Sequence, residues 1–374
     1  MLESIPHLKF DYIIVGQGLA GTLLAHFLLL ENKKVLVMDQ ALPGATSSIA
    51  AGIINPVTGR RIAKSWRFEA LYDFAKMTYR ELEGLLGIQL WFDRNILRAL
   101  HNTFEANEWD RRGAFPEYGP FFEDHADLGN YEGKIAAAHA WGELKYCAQV
   151  SLPDLVKKYR EQLLEKGIFM EAVFDYQLID FQQNSVVYKN IAAEKIIFCE
   201  GARATENPFF NHLPFVPTKG ELLLLKIPGA KFEKILKHHL FLVPLPGTYV
   251  DSGSPENAAP ASDIYWAGST SRFEYADAFP SEDHKAELLE KLKKTLLVPF
   301  EIVAHQAGIR PTVSDVRPFL GLHPKYQQLA IFNGLGTKGS SLGPYFAKQM
   351  ADYLCGKGRL DDEVDIKRFL KKEG

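Results

Sequence analysis

The chain has 374 residues, more than one typical domain and fewer than three, so two domains, or one large domain with an inserted subdomain, are expected. Its 47% hydrophobic, 12% aromatic and 24% charged residues are those of a globular protein and exclude disorder, coiled coil and collagen-like repeats. Forty-three Lys and Arg against 46 Asp and Glu leave a net charge of -3, which provides no global field for nucleic acid or lipid.

The start, MLESIPHLKF, lacks the charged, apolar and small-residue regions of a signal peptide, and a cytoplasmic protein is expected. Cys147, Cys199 and Cys355 are widely spaced and unpaired by any C-x-x-C, so they read as small buried residues; no disulfide framework and no metal site is expected. The apolar run from Leu23 to Leu30 is interrupted by His26 and falls short of the ~20 residues that span a bilayer.

In chain order, Phe10 to Val15 reads as a strand and Gly16-Gln17-Gly18-Leu19-Ala20-Gly21 as a turn opening a helix through Leu30. Lys34 to Asp39 follows as a second strand, completing a βαβ start. Residues 41–61 are rich in Gly, Ala, Ser and Pro and form a loop long enough to line a site. Helical spacing returns over Phe68 to Leu86 and Leu152 to Glu165, while Trp91 to Tyr131 reads as irregular, aromatic β-structure and loops.

A hairpin-like stretch, Phe169 to Tyr188, precedes a buried strand from Lys195 to Phe198 that runs into Cys199-Glu200-Gly201. Strands are expected at Leu222 to Ile227, Leu240 to Val243 and Ile264 to Ala267, with Asp251 to Asp263 as a mobile hairpin tip. Ala286, Leu288, Leu289, Leu292 and Leu296 mark an amphipathic helix face. The tail gives a strand at Ala330 to Phe332, the loop Gly334 to Ser341, and a last helix from about Gly343 to Leu354.

Gly16, Gly18 and Gly21 match G-x-G-x-x-G in its required place between strand and helix, where Leu19 and Ala20 open the helix. The first glycine permits the turn, the second lets backbone approach a pyrophosphate, and the third lets helix and strand pack closely. Asp39, followed by Gln40, ends the second strand, where a carboxylate accepts from ribose hydroxyls. These residues point to a dinucleotide and leave FAD and NAD open.

The segment Thr46-Ser47-Ser48-Ile49-Ala50-Ala51-Gly52-Ile53-Ile54-Asn55-Pro56 resembles the small-residue loop after the second strand in the D-amino-acid oxidase family of FAD enzymes, which includes glycine and sarcosine oxidases. Three further blocks resemble that family in the same order. Ile196 to Gly201 is similar to its strand beneath the cofactor, with Cys199-Glu200 as a departure, and Val173 to the position facing the adenine. Gly308-Ile309-Arg310-Pro311 with Asp315, Pro318 and Gly321, and Gly334-Leu335-Gly336-Thr337-Lys338-Gly339 with Pro344, resemble its two C-terminal signatures.

The resemblance implies an α/β (α+β) fold. A Rossmann-like FAD-binding domain would be assembled from residues near 1–75, 140–213 and 306–374, with a β-rich substrate domain from 76–139 and 214–305. It implies FAD held by Gly16, Gly18, Leu19, Ala20, Gly21, Asp39, Gln40, Ser47, Ser48, Ala51, Gly52, Val173, Cys199, Glu200, Gly201, Gly308, Gly336, Thr337, Lys338 and Gly339. Some sarcosine oxidases attach FAD through a cysteine where this chain has Gly308, so noncovalent FAD is expected.

In such enzymes the cofactor carries the hard chemistry, taking a hydride equivalent at flavin N5 from the carbon beside a substrate nitrogen. Arg310 corresponds to the arginine that holds a substrate carboxylate; its alternative is a staple through Asp315 or a carbonyl. Lys338 is either a cation for the flavin or a solvated loop lysine, and Thr337 falls where relatives place a second carboxylate partner. The expected activity is oxidation of the C–N bond of a small amino acid or N-substituted glycine, with oxygen or another carrier as acceptor.

The alternative arises from Thr218-Lys219-Gly220-Glu221 and the Gly-Leu-Gly-Thr-Lys-Gly loop. Both are similar to the flavin domain of bacterial bifunctional tRNA 5-methylaminomethyl-2-thiouridine biosynthesis proteins, which acts on a carboxymethylaminomethyl group of a wobble uridine. An NAD-linked dehydrogenase and a flavin-binding module without turnover are the remaining competitors.

Overall fold

The computed structural model describes residues 8–40, 45–246 and 263–369. Most of the segment read as a hairpin tip, 251–262, lies outside them. Six helices occur among the described residues: α1 (Leu19–Leu30), α2 (Phe68–Leu86), α3 (Thr103–Gly113), α4 (Leu152–Glu165), α5 (Glu282–Lys293) and α6 (Gly339–Leu354). No described helix is long and apolar enough to cross a membrane.

The chain divides into two compact units. One comprises Met1–Ala50, Leu152–Thr218 and Ile309–Gly374, and the other Ala51–Ser151 and Lys219–Gly308. These divisions depart from the expected boundaries mainly at the first cut, since residue 75 would fall inside α2, and that helix belongs whole to the second unit.

In the first unit, Leu8–Val15 pairs in parallel with Val35–Asp39 on one side and Ile191–Phe198 on the other. Phe169–Glu171 adds in parallel outside Val35–Asp39, and Leu329–Asn333 pairs in parallel with the end of Ile191–Phe198. Val15 stands in register with both Met38 and Phe198, so the carboxyl ends of the central strands share one edge. That is the edge at which open α/β sheets bind ligands. Ile13, Phe198, Ile331 and Phe319 form the core of one face. Within Phe169 to Tyr188 the hairpin proper is only Ile179–Phe181 against Val186–Tyr188, because Phe169–Glu171 has joined the parallel strands.

The second unit holds a seven-stranded sheet running from Glu301–Arg310 through Thr218–Lys226, Ile264–Gly268, Phe241–Pro244, Ile235–Lys237 and Ile96–Leu100 to Ala140–Leu144. From Thr218–Lys226 onward its ladders are antiparallel, except where Ile235–Lys237 runs parallel to Ile96–Leu100. Leu223, Leu225, Leu242 and Tyr265 pack with Leu288 and Leu292 of α5 in its core.

Two expectations need correction. The stretch Trp91 to Tyr131 contains a helix, α3, as well as strands. Asn102 caps it by accepting from the Glu105 amide at 3.0 Å, while the Glu105 carboxylate accepts from the His101 amide at 3.1 Å, a reciprocal capping arrangement. The last helix starts at Gly339 rather than near Gly343, and Ser340 and Ser341 lie in its first turn.

Candidate active site

The three turn glycines have different causes. Gly16 has φ of 100°, and a Cβ there would meet Cys199 O at 2.4 Å; at Gly21 it would meet Gly16 O at 1.9 Å. Both are demanded by the packing of turn, strand and helix. Gly18 has an ordinary φ of -81°, and the nearest atom to a Cβ there is the Ser47 hydroxyl at 3.3 Å. The protein itself hardly requires a glycine at 18, which leaves that face of the turn for a ligand.

Ser47 Oγ accepts from the Leu19 amide at 3.0 Å, at the N-terminus of α1. Leu19 and Ala20 are buried in that first turn. Ser48 is exposed and donates to Ala45 O at 2.6 Å, so its hydroxyl stabilises its own turn.

Asp39 belongs to a polar network that the sequence did not reveal. One carboxylate oxygen accepts from the Gln17 amide at 2.7 Å and the other from Arg160 Nη2 at 3.2 Å. Arg160 Nε donates to Gln17 Oε1 at 2.6 Å, and Gln17 Nε2 donates to Thr22 and to Val156 O. Arg160 thus compensates the charge of Asp39 and orients it. Gln40 follows half-buried, and Val173 is 63% exposed just beyond Ala172, whose amide donates to Asp39 O.

A circuit of contacts brings the C-terminal blocks to this turn. Thr46 Oγ1 donates to Ile309 O at 2.6 Å, fixing the residue before Arg310. Thr312 N donates back to Arg310 O at 2.8 Å, and a Cβ on Gly336 would stand 3.9 Å from Thr312 Cα. The Gly336–Lys338 turn leads directly into α6, where a Cβ on Gly339 would lie 3.0 Å from Leu19 Cδ2. Leu19 returns the circuit to Ser47. Gly343 repeats the approach one turn on, against Leu23, so Gly339 and Gly343 let α6 lie close to α1.

Arg310 and Lys338 are both half-buried on this circuit. Burial lowers the Arg310 guanidinium from its usual value and brings the Lys338 ammonium down to about 8. The Asp315 carboxylate is held by Arg368 Nε at 2.9 Å, so Asp315 is the partner of Arg368. Thr337 is exposed and Gly336 has φ of 57°.

Cys199 and Glu200 are turned to structural tasks. Cys199 is buried, and burial pushes its thiol well above the usual range. Glu200 accepts from Tyr176 OH at 2.5 Å and Asn207 Nδ2 at 2.8 Å, with burial raising its carboxyl. Gly201, with φ of 59°, accepts through its carbonyl from Asn333 Nδ2 at 2.9 Å. Ala51, Gly52 and Gly308 are buried residues of the second unit, and a Cβ on Gly52 would lie 1.8 Å from Val150 O.

A parallel sheet with a glycine turn at its carboxyl edge, a terminal acid and two converging helix N-termini defines a dinucleotide-binding oxidoreductase fold. Residues 11–353 match the FAD dependent oxidoreductase family, to which the chain belongs. The glycine oxidase of Pseudomonas aeruginosa is 24% identical over 374 residues, covering 94% of this chain and 96% of that protein. Glycine oxidase from Geobacillus kaustophilus superposes with a TM-score of 0.76 at 23% identity, covering 95% of this chain and 97% of that one. Iminodiacetate oxidase from Chelativorans sp. BNC1 superposes with a TM-score of 0.73 at 18% identity, covering 95% and 98%.

Proposed function

We propose that this oxidoreductase acts in the cytoplasm on the C–N bond of glycine or an N-substituted glycine, with noncovalent FAD and molecular oxygen as acceptor. The observation that supports the reading is the circuit through Ser47, Leu19, Gly339, Gly336, Thr312 and Thr46, which links the segments carrying Arg310 and Lys338 to the glycine turn. The open face at Gly18 and the oriented carboxylate of Asp39 fit a dinucleotide. FAD, when bound, supplies the acceptor for a hydride equivalent from the carbon beside the substrate nitrogen.

In this reading the first unit binds the cofactor and the second takes the part of the substrate domain. Gly18 and the α1 N-terminus receive the pyrophosphate, Asp39 and Gln40 the ribose, and Val173 the adenine. Arg310 binds the substrate carboxylate bidentately and so orients the adjacent carbon. Lys338, with the first N–H groups of α6, supplies positive charge where electrons accumulate.

Of the two motifs behind the tRNA-modifying alternative, Thr218 to Glu221 has Lys219 and Glu221 buried and paired at 3.1 Å within the second unit. That motif is thereby accounted for without a nucleic acid.

The test is an absorbance spectrum of purified protein followed by anaerobic titration with glycine, N-methylglycine and iminodiacetate. Bleaching by at least one of them supports the reading. A flavin that none of them reduces overturns it, and reduction by NADH alone would point to a nicotinamide-linked dehydrogenase. Acid precipitation should release all the chromophore; yellow colour kept in the pellet would show a covalent link.

A further inference from the structure

The parallel pairing of Ile235–Lys237 with Ile96–Leu100 brings together histidines that lie far apart in the sequence. His101 follows one strand directly, and His238 and His239 follow the other. One ring nitrogen from each of the three lies within 4.8 Å of the others. The His101 ring centroid is 4.8 Å from that of His238 and 4.6 Å from that of His239. From these residues we propose a three-imidazole site for a divalent transition-metal ion of the zinc class, in the second unit.

His238 supplies a second, independent observation. It is 5% exposed, and neither ring nitrogen has a hydrogen-bond partner; the backbone of Ala136 approaches the ring without hydrogen-bond geometry. Leaving an imidazole buried and unpaired is costly, and a metal ion on one nitrogen removes that cost. Three nitrogens around zinc at ~2.0–2.1 Å stand roughly 3.4 Å apart, which exposed His101 and His239 reach by small ring rotations.

A neutral imidazole keeps a lone pair on one ring nitrogen, and three such rings converge here. The cations around the cluster are Arg98, Lys237, Lys291 and Lys294. Lys291 and Lys294 carry their own carboxylates in Glu287 and Glu290, which reduces the repulsion toward a dication. An all-nitrogen donor set selects zinc, nickel or copper over magnesium or calcium.

Equilibrium dialysis of the untagged, full-length flavoprotein against ZnCl2, with metal measured by atomic absorption, tests the site. One zinc per chain with micromolar or tighter binding is expected, and none is expected with MgCl2. His101→Ala and His239→Ala remove exposed side chains and should each weaken zinc binding by more than about tenfold while the flavin spectrum stays unchanged. Zinc binding that is absent below about 100 μM, equalled by magnesium, or unaltered in both variants would overturn the proposal. Because the readout is bound metal, it stands or falls separately from the substrate assignment.

Discussion

Ser47 caps a helix that begins 28 residues before it: its hydroxyl accepts from the Leu19 amide at 3.0 Å, while Gly18, at the N-cap position, has no side chain to do so. The α1 N-terminus is therefore partly satisfied by a neighbouring loop, and the same loop reaches Ile309 through Thr46. A single turn of 3-10 helix, Thr46–Ser48, thus couples the glycine turn to the segment carrying Arg310.

The unequal causes of the glycines give a discriminating experiment. Gly18→Val should fold, because its Cβ would meet only a rotatable hydroxyl at 3.3 Å, yet lose FAD, because the branched side chain would fill the pyrophosphate approach. Gly21→Ala should fail to fold stably, since its Cβ would lie 1.9 Å from Gly16 O. Circular dichroism and the ratio of flavin to protein absorbance separate the two. A folded Gly18→Val protein with full flavin content would refute the placement.

The readable parts of this fold were those in which a local backbone demand selects the residue. The βαβ start, α2 and α4 follow from glycine spacing and apolar periodicity, and the two helices fall at Phe68–Leu86 and Leu152–Glu165 as expected. Arg160 stayed hidden because it meets Asp39 from a helix 121 residues later, and a surface-type arginine on α4 carries no mark of that partner. The helix α3 was missed because its polar face dominates the sequence, although Asn102 and Glu105 at capping distance were a usable signal. Gly339 reads as flavin-facing, and its approach to Leu19 gives a second reason for the glycine, helix packing, that the sequence does not show. The histidine cluster depends on a strand pairing that no local pattern encodes.

Arg310 should govern substrate binding. Asp315 is engaged by Arg368, and a staple from Arg310 to Asp315 or to a carbonyl is the alternative that the following variants test. Arg310→Ala should weaken binding of a carboxylate-bearing amine by ~2–5 kcal/mol with flavin content unchanged, as expected for loss of a charge-assisted pair in a desolvated site. Arg310→Lys should recover part of this, keeping charge and losing the fork. Equal substrate affinity in wild type and the alanine variant, measured by anaerobic flavin reduction, would assign Arg310 a structural role.

Lys338 predicts an alkaline limb in the rate. Burial brings its ammonium down to about 8, so the positive charge it offers is present below that pH and lost as pH rises through it. The turnover number should fall as pH rises past about 8, and Lys338→Arg, whose guanidinium stays charged, should flatten the limb. An unchanged limb in the arginine variant would assign the titration to another group.

Acid should destabilise the protein before its carboxylates titrate. His26 is 5% exposed between the rings of Phe27 and Tyr159, its Nε2 has no hydrogen-bond partner, and burial lowers its folded value to about 4. The unfolded chain, with an ordinary value near 6.5, binds the proton first, so the stabilisation is present above pH 6.5 and is lost as pH falls toward 4. The loss from His26 should be about 2 kcal/mol by pH 5. Glu221, fully buried against Lys219, His284 and Ser281 and lowered to about 2, loses its contribution only below the ordinary carboxylate range. Burial raises the Glu200 carboxyl toward the same interval, so the His26 contribution is read by comparison with a variant that lacks it. In His26→Leu, which removes the titrating group and keeps an apolar side chain against Tyr159, the unfolding temperature should fall less between pH 7 and pH 5 than in wild type. Parallel wild-type and variant profiles across that interval would show that His26 is already protonated, or already partnered, in the folded protein.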